Sequence, residues 1–376
     1  MVIRVLADQY HYQLKQHLHP SVKLETYDPV SGWTNEQIRQ ADALTVRTVT
    51  PVNSRTVPSD HRLTFVATAS AGRDHLDEEW LQENNIRFTD AKGSNARSVA
   101  EYVAVCVLIS KLVPEDERRD LRAGIVGAGF TGSATARILD ALGFDCVLYD
   151  PPLEEQSRTF RSASLDDVLD TDIISFHLPL HKTGRHATQH WYDSDKIRAY
   201  PKKLVINASR GGVVDESSLL KDVHEGHIEN YICDVWEQEP FFNDQTAQNA
   251  LLATPHIAGY SLEAKLNATI KVCDDLHSFF GIENPVRPEP ETSFITYDDP
   301  DVSLEKVIRT VHPAGTYDSE LRNLIGLADD KKRSLFHDIR QRTPLRNEFN
   351  HIALPEQLTD RYPALKKLGF LRASNK

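Results

Sequence analysis

The run "AGIVGAGFTGSATARILDALGFDCVLYD", Ala123 to Asp150, leaves this chain few folds to choose from. An apolar, β-branched stretch leads into Gly127, Gly129 and Gly132, spaced as G-x-G-x-x-G, and a helical stretch follows. In such a turn the first glycine permits the tight bend and the second lets a pyrophosphate approach the backbone. The third lets helix and strand pack closely, while the helix N-terminus faces the anion. A bare G-x-G-x-x-G is a weak signal. Here the unit closes on a second strand, "CVLYD", whose last residue, Asp150, stands about 20 residues on, as a dinucleotide site requires. The spacing predicts a β-α-β unit that binds a dinucleotide, with Phe130 and Thr131 inside the turn counted among the cofactor contacts. Asp150 would accept hydrogen bonds from the adenosine ribose hydroxyls and repel a 2′-phosphate, which favours NAD over NADP. Arg158 and Arg161 would soften that discrimination. The other reading of Asp150 is a strand-end acid ahead of the turn "PP".

The alternation extends well beyond this unit. A first series of short apolar runs, "VIRVLA", "ALTVRT", "LTFVATAS" and "IRFTD", starts at Val2, Ala43, Leu63 and Ile86. "VAEYVAVCVLISKL", Val99 to Leu112, is apolar nearly all round and reads as a long buried helix. A second series follows: "AGIVGAG", "CVLYD", "DIISFHL", "LVINAS", "YICDVW" and "LLATP", with helical stretches such as Thr131–Leu142 and Glu216–His224 between them. Strands alternating with helices argue for doubly wound parallel sheets, and two series imply two α/β domains. At 376 residues and 40% hydrophobic content the chain is too long for one ordinary core. Helical periodicity returns from Leu262 to Phe280. The proline- and acid-rich "ENPVRPEPE" (Glu283 to Glu291) then leads to a separate segment with helical stretches such as "DDKKRSLFHDIRQ".

A net charge of −12 with interspersed signs argues against nucleic-acid or anionic-membrane partners. Any anionic substrate must therefore be held by local arginines or lysines. The four cysteines, Cys106, Cys146, Cys233 and Cys273, are scattered without C-x-x-C and read as thiols in a reducing compartment. "MVIRVLAD" looks like a strand rather than a signal peptide or span, so the expectation is a cytoplasmic protein. His186 and His190 have helical i, i+4 spacing, but without H-E-x-x-H or a third ligand they read as a surface helix start, and no metal is expected. His177 reads as a sheet-edge residue, and Ser209 lacks a G-x-S-x-G elbow. The acid-rich "PEDERRD", Pro114 to Asp120, reads as a solvated connection.

"TPHIAGYSLEAK", Thr254 to Lys265, places a histidine where a strand gives way to a helix. Alone, such a histidine more often satisfies a backbone carbonyl. A dinucleotide that accepts hydride, however, needs a partner group that takes the alcohol proton, and imidazole suits this near neutral pH. It also needs a carboxylate to stabilise the imidazolium and a cation to orient an acidic substrate. Arg210 in "NASRGGVVDE", Glu239 in "DVWEQEP" and His256 supply all three. Each follows a predicted strand, so the three can gather at the carboxyl edge of the sheet, where open α/β proteins bind ligands.

In their order, "GAGFTG", "NASRGGVVDE", "DVWEQEP" and "PHIAGYSLEA" resemble the NAD-dependent D-isomer-specific 2-hydroxyacid dehydrogenases. "ADALTVRTVTPVN", "FVATASAGRDHLD", "GSNARSVAEYV" and "HIAGYSLEAK", with "PLRNEF" and "KKLGF" in the tail, are similar to members acting on a small phosphorylated 2-hydroxy acid. The resemblance covers nearly the whole chain. It implies a flavodoxin-like substrate domain (1–92 and 262–285), a Rossmann-type NAD domain (93–261) and a C-terminal α+β dimerisation domain (286–376), hence a homodimer. Substrate would lie between the first two. Arg210 would grip the substrate carboxylate, His256 would be general base in oxidation, and Glu239 would pair with it and favour its protonated form. The resemblance further implies substrate contacts at Thr48, Ser70 and Tyr260, and cofactor contacts at Gly259, at Asp234 and through the backbone of Leu178, which stands where a threonine is usual. Arg47 is the candidate for the substrate phosphate, against a plain strand-end arginine, and Arg73 is a weaker one. The first strand ends in "LADQYH", a departure from the family pattern that bears on the phosphate pocket. The rival readings are a dehydrogenase for another 2-hydroxy acid, such as 3-phosphoglycerate, and a dinucleotide-sensing protein without catalysis.

Overall fold

A computed structural model describes residues 2–48, 50–110, 121–287, 291–299 and 301–373. The stretch 114–120 lies outside them, as do residues 111 and 112 at the end of the expected long helix. The chain divides into two compact units, 1–95 with 262–290 and 96–261 with 291–376.

The first unit is built on five parallel strands: β1 (Arg4–Asp8), β2 (Lys23–Tyr27), β3 (Ala43–Val46), β4 (Phe65–Thr68) and β5 (Arg87–Asp90). Their order, β2-β1-β3-β4-β5, is that of flavodoxin-like sheets, with a switch point between β1 and β3. Val5, Ala7, Phe65 and Ala67 pack on Val272, Cys273 and Leu276 of the helix Leu262–Phe280. Leu6, Leu44, Val46 and Val66 turn to the other face, onto Ile38 and Leu81. Burial of both faces explains why these strands read as continuous apolar runs. The two edge strands are the exceptions: in β5, "RFTD", no residue is fully buried, and in β2, "KLETY", only Tyr27 is, so no apolar run announces β2.

The second unit holds β6 (Arg122–Val126), β7 (Asp145–Tyr149), β8 (Ile173–Phe176), β9 (Lys202–Asn207), β10 (Ile228–Cys233) and β11 (Leu252–Ala253). All are parallel, in the order β11-β10-β9-β8-β6-β7. The chain reverses direction across the sheet between β6 and β8, so a crevice forms beyond their carboxyl ends. The helix Ala96–Ile109 is buried along nearly its whole length, including Glu101. A third parallel sheet, β12 (Ser293–Phe294), β13 (Ile352–Pro355) and β14 (Leu371–Ala373), carries the C-terminal segment. That segment clusters with 96–261, and Val307, Leu321, Phe336 and Leu365 share one apolar core with Tyr102, Ile125 and Trp236.

His186 and His190 do not begin a helix; both lie in turns ahead of the helix Ser194–Ala199. His186 faces Glu155 at 3.4 Å and His190 faces Glu237 at 3.2 Å, so their sequence spacing carries no common face.

Candidate active site

Five of the predicted cofactor residues sit on the first turn after β6. A Cβ on Gly127 would come within 2.6 Å of the His177 carbonyl oxygen, and one on Gly132 within 1.8 Å of the Gly127 carbonyl oxygen. Both positions therefore demand glycine, as strand and helix close on each other. A Cβ on Gly129 would meet nothing within 4 Å, which is the open backbone an anion needs. Gly129 caps the helix Phe130–Leu142, and Phe130 beside it is 58% exposed. Thr131 is half-buried on the first turn. Asp150 follows β7 and accepts the Ala128 N–H at 2.8 Å and the Leu153 N–H at 3.0 Å. One oxygen thus pins the glycine turn while the other caps the helix Pro151–Gln156, and each keeps a lone pair for a ribose hydroxyl. Leu178, half-buried past the end of β8, has Cδ2 3.1 Å from where a Gly127 Cβ would stand. The glycine turn, the acid and the β8 edge together fit an NAD molecule. His177 is a structural neighbour: its Nε2 meets Ser175 Oγ at 3.0 Å, and burial pushes the ring down to about 3.

The catalytic candidates converge at the same edge of the sheet, beyond β9, β10 and β11. His256 Nδ1 lies 2.7 Å from Glu239 Oε2. The other Glu239 oxygen accepts the Trp236 N–H at 3.0 Å. Burial works to raise the Glu239 carboxyl, but His256, the Trp236 N–H and the Arg340 charge outweigh it and hold it below the usual carboxylate range. The acid is ionised when the imidazole needs it.

Asp234 is fully buried behind this pair. Its carboxylate accepts the Thr254 hydroxyl at 2.6 Å and the N–H groups of Ile257 at 2.7 Å and Ala258 at 2.9 Å. Burial raises its carboxyl above the usual range, with His256 and these donors pulling the other way. Its backbone carbonyl accepts the His256 N–H at 2.7 Å. Tyr102 and Trp236 brace Thr254 from behind, through its hydroxyl at 2.7 Å and its carbonyl at 3.0 Å. The turn closes with Tyr260 N–H donating to the Ile257 carbonyl at 2.8 Å, which leaves Gly259 and Tyr260 half-buried at its tip.

Arg210 stands in the loop between β9 and the helix Glu216–His224, with Nη1 on the Ser209 carbonyl at 2.9 Å. Asn207 organises that loop. Its oxygen accepts the Ser209 hydroxyl at 2.9 Å and its amide donates to the Arg210 carbonyl at 3.2 Å. Ser209 is thereby a loop staple. A Cβ on Gly211 would fall 1.7 Å from the Trp236 carbonyl oxygen, so the Arg210 and Glu239 loops touch backbone to backbone.

The remaining candidates lie in the first unit. Arg47 follows β3 and donates from Nε to Asp8 at 2.8 Å, with its guanidinium 5.4 Å from the Tyr10 ring centroid. Asp8 and Tyr10 of "LADQYH" are thus both partners of the predicted phosphate ligand, and only Tyr10 belongs to the departure. Thr48 beside it is exposed. Ser70 follows β4; its hydroxyl lies 2.7 Å from Thr68 Oγ1, which in turn is 2.9 Å from His75 Nε2. Arg73 is shared by Glu78 at 3.1 Å and Asp90 at 3.2 Å. Among functional groups that sequence reasoning passed over, Arg340 stands out: its Nη2 donates to the Tyr260 hydroxyl at 2.6 Å. No signal marks it within "DDKKRSLFHDIRQ", where charges fall on every side of the helix.

Residues 108–258 match the family described as "D-isomer specific 2-hydroxyacid dehydrogenase, NAD binding domain". The chain is 34% identical over 327 residues to an erythronate-4-phosphate dehydrogenase of Bacteroides thetaiotaomicron, spanning 86% of this chain and 90% of the relative. A protein of the same name from Tolumonas auensis is 36% identical over 357 residues, spanning 92% and 93%. The crystal structure of the Aquifex aeolicus D-lactate dehydrogenase complexed with NAD and lactic acid superposes with a TM-score of 0.58 at 23% identity, covering 74% of this chain and 95% of that one. The chain belongs to the erythronate-4-phosphate dehydrogenase family, NAD-dependent oxidoreductases among the D-isomer-specific 2-hydroxyacid dehydrogenases.

Proposed function

We propose that this chain oxidises 4-phospho-D-erythronate to 2-oxo-3-hydroxy-4-phosphobutanoate with NAD, a step toward pyridoxal 5′-phosphate. The observation that carries the reading is the 2.7 Å His256–Glu239 contact, in a chain 34% identical to an erythronate-4-phosphate dehydrogenase. Bound NAD supplies the hydride acceptor. With Nδ1 donating to Glu239, His256 keeps Nε2 free of a proton to take the C2 hydroxyl hydrogen as the C2–H electron pair departs. Arg210 orients the substrate carboxylate, a planar match for guanidinium. Tyr260, Thr48 and Ser70 offer hydroxyls to the substrate, and Arg47 takes its phosphate. Gly127, Gly129, Phe130, Thr131, Gly132, Asp150, Asp234, Gly259 and the Leu178 backbone hold the cofactor.

The reading extends to a cytoplasmic homodimer joined through the C-terminal segment. Phe294 on β12 and Leu371 on β14 support it, since both are exposed on the two edge strands of the small sheet. Among the described residues no helix is long and apolar enough to cross a membrane.

The test follows reduced-nicotinamide absorbance with 4-phospho-D-erythronate, D-erythronate, 3-phosphoglycerate and D-lactate. Turnover is expected to be fastest with the first. His256→Asn is expected to abolish turnover and leave NAD binding intact. Faster turnover of 3-phosphoglycerate would move the chain to the rival dehydrogenase reading, and unchanged turnover in the variant would remove His256 from the chemistry.

A further inference from the structure

Tyr260 closes the turn that presents His256, yet its hydroxyl is held from outside the nucleotide-binding sheet. The donor is Arg340 Nη2, at 2.6 Å, on the helix Asp329–Arg342. The same guanidinium carbon lies 5.0 Å from the Tyr260 ring centroid, so one side chain both stacks on the phenol and bonds its oxygen. Phe336 and Ile339, both fully buried, anchor that helix and leave Arg340 little freedom to leave the site. Arg333 and His337 lie on the same side of the helix at i−7 and i−3 from Arg340, and burial with these two arginines holds the His337 ring below its usual range. Arg340 Nε is itself shut off from solvent without a protein partner.

We propose that Arg340 is a positioning residue for the reaction argued above: it fixes the Tyr260 ring and hydroxyl against the substrate from a helix of the C-terminal segment. The proposal rests on that reading of the site, in which Tyr260 touches substrate. Arg340 also lowers the Glu239 carboxyl, which places its charge within range of the catalytic pair. The C-terminal segment then belongs to the catalytic apparatus in addition to any role in assembly.

A plain staple between helix and turn would cost stability alone, so the experiment separates kinetics from folding. Arg340→Gln, Arg340→Lys, Tyr260→Phe and the double variant Arg340→Gln/Tyr260→Phe are compared with wild type by KM, kcat, NADH affinity and Tm. Arg342→Gln, two residues further on and exposed beside Glu320, is the control. Arg340→Gln is expected to raise KM for 4-phospho-D-erythronate about tenfold, the loss of one charge-assisted hydrogen bond, with NADH affinity held. Arg340→Lys keeps charge and donor without the flat stacking face, and should recover part of that loss. In the Tyr260→Phe background the Arg340→Gln effect on KM should shrink to the share that stacking on the ring contributes. Arg340→Gln with wild-type KM, or with the same penalty whether or not the Tyr260 hydroxyl is present, overturns the proposal. Should Arg340→Gln fold poorly, Tyr260→Phe with a wild-type KM does the same. An active wild type with silent Arg340 variants defeats this inference alone; a wild type inert toward every 2-hydroxy acid defeats the reading above and this one with it.

Discussion

The backbone at His256 has φ 57°, in the left-handed region where an L-residue is destabilised by roughly 1–2 kcal/mol. That conformation persists because Asp234 gathers two N–H groups and a hydroxyl on the far side of the turn. Asp234→Asn would put an amide N–H₂ against one of those donors. The turn should relax and turnover fall about 100-fold, the scale of a misplacement near 1 Å, while global stability changes less. Steady-state rates beside a urea titration check this; undiminished turnover would show that Asp234 does not set the turn. Gly211 makes a second residue-level case. Its missing Cβ lets the Arg210 loop rest on the Trp236 carbonyl, so Gly211→Ala should destabilise by about 1–3 kcal/mol and impair kcat and KM together. The sequence marks Arg210, Glu239 and His256 as chemistry-bearing types behind strands. It is silent on which carboxylate braces the turn, because that depends on direction rather than residue type.

At the scale of elements, the helix Ala96–Ile109 is the clearest reading and hides the clearest surprise. Its all-round apolar character announces burial, yet Glu101 lies at its centre with no exposure. Arg346 answers it at 2.6 Å, the Phe349 N–H at 2.9 Å, and Arg346 also donates to the Ser98 carbonyl at 3.1 Å. Arg97 Nε also reaches Glu101, at 2.8 Å, but it is the more exposed of the two cations, and Arg346 is the buried one. Arg346→Met should therefore cost about 3 kcal/mol, and the double variant Glu101→Leu/Arg346→Met less. Urea midpoints of the three chains decide it; equal losses in single and double variants would argue for plain packing. Because the pair ties helix to C-terminal loop, it also explains why 291–376 shares a compact unit with 96–261. Nothing in either local sequence reveals the other partner. Likewise β2 escaped notice because an edge strand with exposed side chains lacks the apolar run by which its neighbours are recognised.

For the chain as a whole, buried imidazoles set an acid limit on stability. Burial lowers His11 and His75 to about 4 and His177 to about 3. Unfolded, each titrates near 6.5, so between about pH 4 and 6.5 the unfolded chain binds protons that the folded chain refuses. Their contribution is intact above about pH 6.5 and is lost as pH falls toward 4. Unfolding free energy should thus be lower at pH 5 than at pH 7.5. His75→Gln, which can keep the Thr68 contact, should flatten part of the slope. A pH-independent urea midpoint over that range would mean these rings are open to protons in the folded state.

Local pattern carried the α/β alternation, the glycine turn with Asp150 behind it, and the order in which Arg210, Glu239 and His256 appear. These depend on periodicity and residue type, which a linear chain displays directly. Long-range geometry alone brought Arg340 to Tyr260, Arg346 to Glu101 and Asp8 to Arg47. Each is a contact between polar groups far apart or unpatterned in the chain. A charged side chain looks the same in a sequence whether it ends in water or against its one buried partner.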